Sequence, residues 1–173
     1  MNIIILGPPG SGKGTQAKKI AAGFGFTHIC TGDILREKKF ALGTGDLVND
    51  DTVIQLVKEK IDEVGKDNLV FDGFPRTLHQ AQVLKDMLDI DAAFLLQVPD
   101  EEIIKRIVRR GLKSGRADDN EEIAKKRIGE YMDKTYPIKQ FYSLDNKLRV
   151  INGTDSIEDI FNTISDYING NKG

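Results

Sequence analysis

One cysteine, Cys30, in a chain of 173 residues excludes an internal disulfide and a zinc site built from cysteines. There are two histidines, His28 and His79, and no Ser-His or Cys-His arrangement for nucleophilic catalysis is indicated around either. His28 reads as a strand-end packing residue and His79 as an exposed one. Neither sign of charge prevails: 25 Lys and Arg stand against 27 Asp and Glu, for a net charge of −2 and a pI near 5.7. That excludes a nucleic-acid binder relying on global charge. No apolar run approaches the ~20 residues of a membrane span, and the one at the start is too short for a signal peptide. Internal repeats, low-complexity tracts and long linkers are also missing. These absences, with a hydrophobic content of 39%, predict one soluble domain in a reducing, cytoplasmic setting.

What is present is concentrated at the start, in MNIIILGPPGSGKGT. Residues 2–6 are apolar and β-branched and read as a buried strand. Residues 7–14 hold four glycines and two prolines, and a helical pattern follows from Lys13 to about Ala22. Strand, glycine loop and helix together are the context of a phosphate-binding loop. Glycines let successive N–H groups turn toward one anion, and the helix adds unpaired N–H groups and the positive end of its dipole. Lys13 supplies a mobile charge for phosphates, and Thr15 a hydroxyl that can reach Mg²⁺. Gly7, Gly12 and Lys13 fit G-x-x-x-x-G-K-[ST], but Gly14 stands where Ser or Thr is usual and Thr15 comes one later.

Beyond it, strands and helices alternate. Strands are predicted at 26–30, 68–71, 92–98 and 148–151. Helices are predicted at 31–40, with Thr31 as a candidate cap, and at 50–61, 77–88, 101–111 and 156–168. A long helix at 120–142 is interrupted near Pro137, and residues 169–173 are expected to fray. Short apolar strands between amphipathic helices predict an α/β fold, a five-stranded parallel sheet with helices on both faces. Ligands then bind beyond the carboxyl ends of the strands. The residues there are Gly7 to Thr15, then Thr31, Gly32 and Asp33, then Asp72 to Arg76, then Pro99 and Asp100, and last Asn152 to Thr154. A phosphate loop, two carboxylates and an arginine are what Mg²⁺-nucleotide chemistry needs. Asp33 could instead serve only a helix dipole, and Asp72 only a turn.

GPPGSGKGTQ, CTGDILRE, DGFPRT and SGRADDN, in this order, resemble the adenylate kinases of the nucleoside monophosphate kinase family, from Met1 nearly to Ile168. The resemblance implies MgATP + AMP ⇌ MgADP + ADP on a single P-loop kinase domain over 1–173, with an NMP-binding insert at about 31–60 and a short lid at about 111–119. Phosphoryl transfer asks for alignment and charge neutralisation. By resemblance Gly10, Ser11, Gly12, Lys13, Gly14 and Thr15 wrap the ATP phosphates, joined by Arg106 and Arg110, with the backbone of Asp155 near the adenine. Asp33 and Asp72, near Thr15, hold Mg²⁺ through its waters. Thr31, Arg36, Asp46, Leu47, Val48, Gly73, Phe74, Pro75, Arg76 and Gln80 resemble the AMP site, with a cis bond implied at Phe74-Pro75. Arg116 and Arg127 are assigned to the transferring phosphoryl and AMP phosphates. Catalysis thus falls to Lys13, Arg76, Arg110, Arg116, Arg127, Asp33 and Asp72. Arg109 and Lys113 read as solvated, and Asp118 and Asp119 as orienting the arginines or capping the helix near Asn120.

Two departures from the family stand out. The lid at 112–119 is short and lacks the cysteine clusters of zinc-bearing relatives, which implies no zinc site. The segment over AMP looks clipped around Phe40 to Gly45, which puts AMP enclosure and selectivity in question. A pyrimidine (UMP/CMP) or broad-specificity monophosphate kinase of the same fold is the alternative, and a nucleotide-binding module without turnover a third. Thr31 and Pro75 to Thr77 favour adenine. The expected partners are ATP, AMP and ADP, bound by a monomer, with no nucleic acid and no membrane.

Overall fold

Residues 2–6 are apolar without alternation because both faces of their strand are covered. In the computed structural model, which describes residues 1–38, 40, 48–114 and 119–171 (113 and 114 by backbone alone), this strand is β1 (Asn2–Leu6), and every residue of it is buried. The other strands are β2 (Thr27–Cys30), β3 (Leu69–Asp72), β4 (Ala92–Gln97) and β5 (Leu148–Asn152). All pair in parallel, in the order β2-β3-β1-β4-β5. Helices α1 (Lys13–Phe24) and α2 (Thr31–Glu37) follow the first two strands. Next come α3 (Asp50–Val64), α4 (Leu78–Met87), α5 (Asp100–Ser114) and α6 (Glu121–Glu130). After a π-helical turn at Tyr131–Thr135 come α7 (Ile138–Leu144) and α8 (Ile157–Gly170).

The sheet divides the core. Ile3 and Ile5 pack with Ala17 and Ile20 of α1 and with Ile160, Ile164 and Ile168 of α8. Ile4 and Leu6, pointing the other way, meet Val53, Val57 and Ile61 of α3, Leu84 of α4 and Ile138 of α7. A smaller cluster joins Ile103 and Ile107 of α5 to Ala124 and Ile128 of α6. That pair of helices carries the basic face over the strand ends.

Several boundaries differ from the sequence expectation, each for a local reason. Thr31 does not cap α2. Cys30 holds the cap position, and the Thr31 hydroxyl donates to Gly73 O instead, at 2.8 Å. α2 ends at Glu37, short of Phe40. Asn49 caps α3 by accepting from Asp51 N and Thr52 N, and the helix runs on to Val64. α5 passes through Gly111 to Ser114. The break near Pro137 is preceded by the π turn, closed by Tyr136 N donating to Tyr131 O. Asn169 and Gly170, expected to fray, complete α8.

Candidate active site

The loop after β1 delivers Lys13 as the first residue of α1. Its ammonium curls back and donates to Gly7 O at 2.9 Å and Pro8 O at 2.8 Å. Burial pushes it down to about 8; Asp72 opposes this, and Arg76, Arg127 and Arg110 add to it. The unusual Gly14 also finds an explanation. A Cβ there would lie 3.0 Å from Asp72 Oδ2, so a larger residue would crowd this carboxylate.

Asp72 ends β3 and is almost fully buried. Burial pulls its carboxyl upward, but neighbouring His28, Lys13 and Arg76 hold it below the usual carboxylate range. Asp33, in the first turn of α2, pairs with Arg36 at 2.5 Å. Its carboxyl is also lowered: burial works against this, and Arg36 and Cys30 outweigh it. Thr15, Asp33 and Asp72 line one cleft. Carboxylate and hydroxyl oxygens are donors suited to a hard cation that keeps several waters, so the three residues fit Mg²⁺.

On the other side of the loop, Gly73 O accepts from both Thr31 and Arg76 Nε, the latter at 2.7 Å. Thr135 of the π turn donates to Arg76 O at 2.8 Å. Burial, then Arg127, lowers the Arg76 guanidinium. The Phe74-Pro75 bond is cis, and Phe74 is fully buried. Gln80 is buried too, and both ends of its amide are engaged. Oε1 accepts from Arg76 N at 2.7 Å, and Nε2 donates to Asp50 Oδ1 at 2.8 Å. To read a base, Gln80 must exchange Asp50 for it. Val48 is half-buried against the core of the α3 face. Asp46, Leu47 and most of the segment that looked clipped lie outside the described residues, as do Arg116 and Asp118.

The remaining cations come from α5 and α6. Arg110 is gripped by Asp119 through two bonds, Nε to Oδ2 and Nη2 to Oδ1, each 2.6 Å. The Asp119 side chain has no exposure, and Arg127 Nη1 lies 3.7 Å from the same Oδ1. Such a fork fixes the plane of the guanidinium. Asn120, not Asp119, caps α6. Arg106 is held by Glu102 at 2.8 Å and by Gly153 O at 2.9 Å, which ties it to the turn after β5. Asp155 sits in that turn, accepting from Asn152 Nδ2 at 2.7 Å. Arg109 is exposed.

The close approach of α5 to Asp119 depends on Gly111. A Cβ there would meet Asp119 O at 2.2 Å. Gly111→Ala gains about 1 kcal/mol of helix propensity, but overpacking against backbone costs ~1–3 kcal/mol, so the clash prevails. The variant is expected to be less stable in urea and to lose kcat as the Arg110 fork shifts. A more stable and equally active variant would refute this.

Three features escaped sequence reasoning. Asp50 joins Thr77 and Gln80 across 27 and 30 residues, with no motif to mark it. The depth of Asp119 was not readable from a polar run. His28, read as packing, has Asp72 beside it at 3.8 Å, with Cys30 on the same strand. The Cys30 thiol is pushed up to about 11, by burial first and then by Asp72.

This geometry agrees with what the chain is similar to. The family described as adenylate kinase matches residues 5–147. An adenylate kinase of Bacteroides fragilis is 42% identical over 182 positions, covering 95% of this chain and 96% of that one. One of Leptospira biflexa is 43% identical, covering 94% and 96%, and one of Thermus thermophilus 39%, covering 92% of each. The chain belongs to the adenylate kinase family. It is accordingly a kinase, a nucleotide-binding phosphotransferase of the P-loop nucleoside monophosphate kinase fold. The 182 aligned positions exceed the chain's 173 residues, so the Bacteroides relative carries residues that this chain omits. Among the described residues no helix is long and apolar enough to cross a membrane.

Proposed function

We propose that this family member moves the γ-phosphoryl of MgATP to AMP with the residues gathered in one cleft, acting as a monomer in the cytoplasm. One observation carries the reading. The loop glycines, Lys13, Thr15, Asp33 and Asp72 share a cleft with Arg36, Arg76, Arg106, Arg110 and Arg127. Two polyanions repel as they approach, and a ring of cations offsets that repulsion. Lys13 leaves its two loop carbonyls for ATP phosphate oxygens. Arg106 and Arg110, on one face of α5, hold the ATP side. Arg36 and Arg76 take the AMP phosphate, and Arg127, joined by Arg116, faces the phosphoryl in flight. Asp33 and Asp72, near Thr15, would hold Mg²⁺, which would supply charge neutralisation to the phosphates. Segments 31–60 and 111–119 act as the coverings over AMP and ATP. The residues proposed for both substrates lie along the cleft of one chain, which supports a monomer.

A coupled assay of ADP formation with MgATP and each of AMP, CMP, UMP and GMP tests this. AMP is expected to give the highest kcat/KM, because adenine repays Gln80 for the bond it gives up to Asp50, whereas a wrong base leaves polar groups of the pocket unpaired at about 1–3 kcal/mol each. The engagement of Gln80 by Asp50 is the observation that keeps a pyrimidine kinase in play. CMP or UMP matching AMP would establish that alternative.

The lowered Lys13 value has its own consequence. The ammonium is the form that binds phosphate, and the free protein surrenders its proton as pH rises through about 8. Thus kcat/KM for ATP should fall above that pH. Bound phosphates favour the ammonium, so kcat should persist to higher pH. A kcat/KM profile flat to about pH 10, the range of an ordinary lysine, would contradict the assignment.

A further inference from the structure

Cys30 and Asp72 are register partners on adjacent strands, and His28 lies two residues before Cys30. Alternation puts all three side chains on one face of the sheet. Cys30 Sγ and His28 Nε2 each lie 3.8 Å from Asp72 Oδ2, and the three atoms are within 4.8 Å of one another. Among the described residues this is the one such grouping of His, Cys, Asp and Glu. His28 Nε2 is buried and has no hydrogen-bond partner. All three residues line the cleft, so a small cation has a path in.

Zinc–ligand bonds of about 2.0–2.3 Å place tetrahedral ligand atoms roughly 3.3–3.8 Å apart. The two separations of 3.8 Å lie at the upper end of that range and the third pair is within 4.8 Å, so a bound ion has only to draw the three side chains slightly inward. Imidazole and thiolate select a borderline-soft ion over Mg²⁺, which prefers oxygen. Three protein ligands leave the fourth position to water or a phosphate oxygen. We propose that His28, Cys30 and Asp72 form a Zn²⁺ site, and that its occupation stops phosphoryl transfer by withdrawing Asp72 from the nucleotide. One cysteine cannot build a cysteine cluster, but it suffices here because the topology supplies the other two ligands. The site thus revises the expectation of no zinc. The binding stands on these three side chains; the inhibition rests on the role of Asp72 proposed above.

The test is a titration of the nucleotide-free protein with Co²⁺, a spectroscopic substitute for Zn²⁺. Because Cys30 is the only cysteine, thiolate-to-cobalt charge-transfer absorption reports on it alone. The absorption should saturate at a single equivalent and disappear when Zn²⁺ is added. Cys30→Ser should abolish it, and His28→Gln should weaken it. Loss of a group that merely supports a ligand costs 10–100-fold in metal affinity, so Cys30→Ser should weaken Zn²⁺ binding at least about 100-fold. Under buffered free Zn²⁺ at fixed MgATP and AMP, wild-type turnover should fall across the range where the metal binds, and a chelator should restore it. Cys30→Ser should turn over normally without Zn²⁺ and resist inhibition. Absence of the absorption overturns the site, as does Zn²⁺ affinity unchanged in Cys30→Ser. Binding that leaves turnover intact overturns the inhibition. Failure of the kinase reading would look different: no ADP would form with Mg²⁺ alone, whatever the cobalt spectrum.

Discussion

Lys13→Ala is expected to lose about 10³-fold in turnover, the upper range for removing one preorganised electrostatic contact, while the fold survives. The loop holds the ammonium through Gly7 O and Pro8 O, and burial, lowering it to about 8 against the pull of Asp72, makes the charge less favourable there than in water. Removing the side chain therefore costs the empty protein little, because the two loop hydrogen bonds lost are offset by the burial of the charge that is relieved. What it takes away is a contact that gains strength as charge develops on the transferring group, so kcat falls along with kcat/KM. Single-turnover rates and thermal melts of the same preparation separate the two effects. A variant that keeps more than about a tenth of the rate, a loss of ~1.4 kcal/mol or less, contradicts the assignment. Lys13→Arg should fall between, since a planar fork is a poor replacement for a compact ammonium.

The second large effect is expected from Asp119→Ala, at a residue that acts through Arg110. Asp119 fixes Arg110 through two bonds and lies close to Arg127. Without it, two guanidinium groups lose a common anchor and repel each other. Arg110 is part-exposed, so water screens much of that repulsion and the stability loss should stay near ~1 kcal/mol. Alignment is less forgiving, and displacement by about 1 Å can cost 10²-fold. We expect kcat to fall about 100-fold with KM for ATP changed far less. Asp119→Asn should recover part of the rate, because one amide oxygen can still accept from the fork. A KM effect larger than the kcat effect would show that Asp119 serves ground-state binding.

The parts of this molecule that could be read from sequence are those whose physics is local. A continuous apolar run such as residues 2–6 needs cover on both faces, and the sheet supplies it. The glycine loop, Lys13 and the helix behind it lie within the eighteen residues from Gly7 to Phe24. Thr31 shows the limit: threonine before a helix suits a cap, but the partner that took its hydroxyl, Gly73 O, is 42 residues away. Gly111 looked like a helix end because glycine is a poor helix former; its purpose is contact with a loop farther along. The family resemblance offers Gln80 as a base-recognising amide, whereas its engagement by Asp50 depends on how α3 packs against α4. The cleft's carboxylates, arginines and thiol are individually ordinary residues, and only the parallel register makes neighbours of Cys30 and Asp72.

The order β2-β3-β1-β4-β5 bears on how the chain comes off the ribosome. Both neighbours of β1 are made long after it: Asn2 awaits Leu69, and Ile3 awaits Ala92. Until β4 emerges, the most apolar stretch of the amino terminus has at least one bare edge, and the phosphate loop has no finished sheet beneath it. Non-local parallel pairing is slow, and an unpaired apolar edge invites other chains. The phosphate loop is thus translated well before its sheet is assembled, and a nascent chain that stops short of β4 holds the loop's residues without the scaffold that gives them their shape.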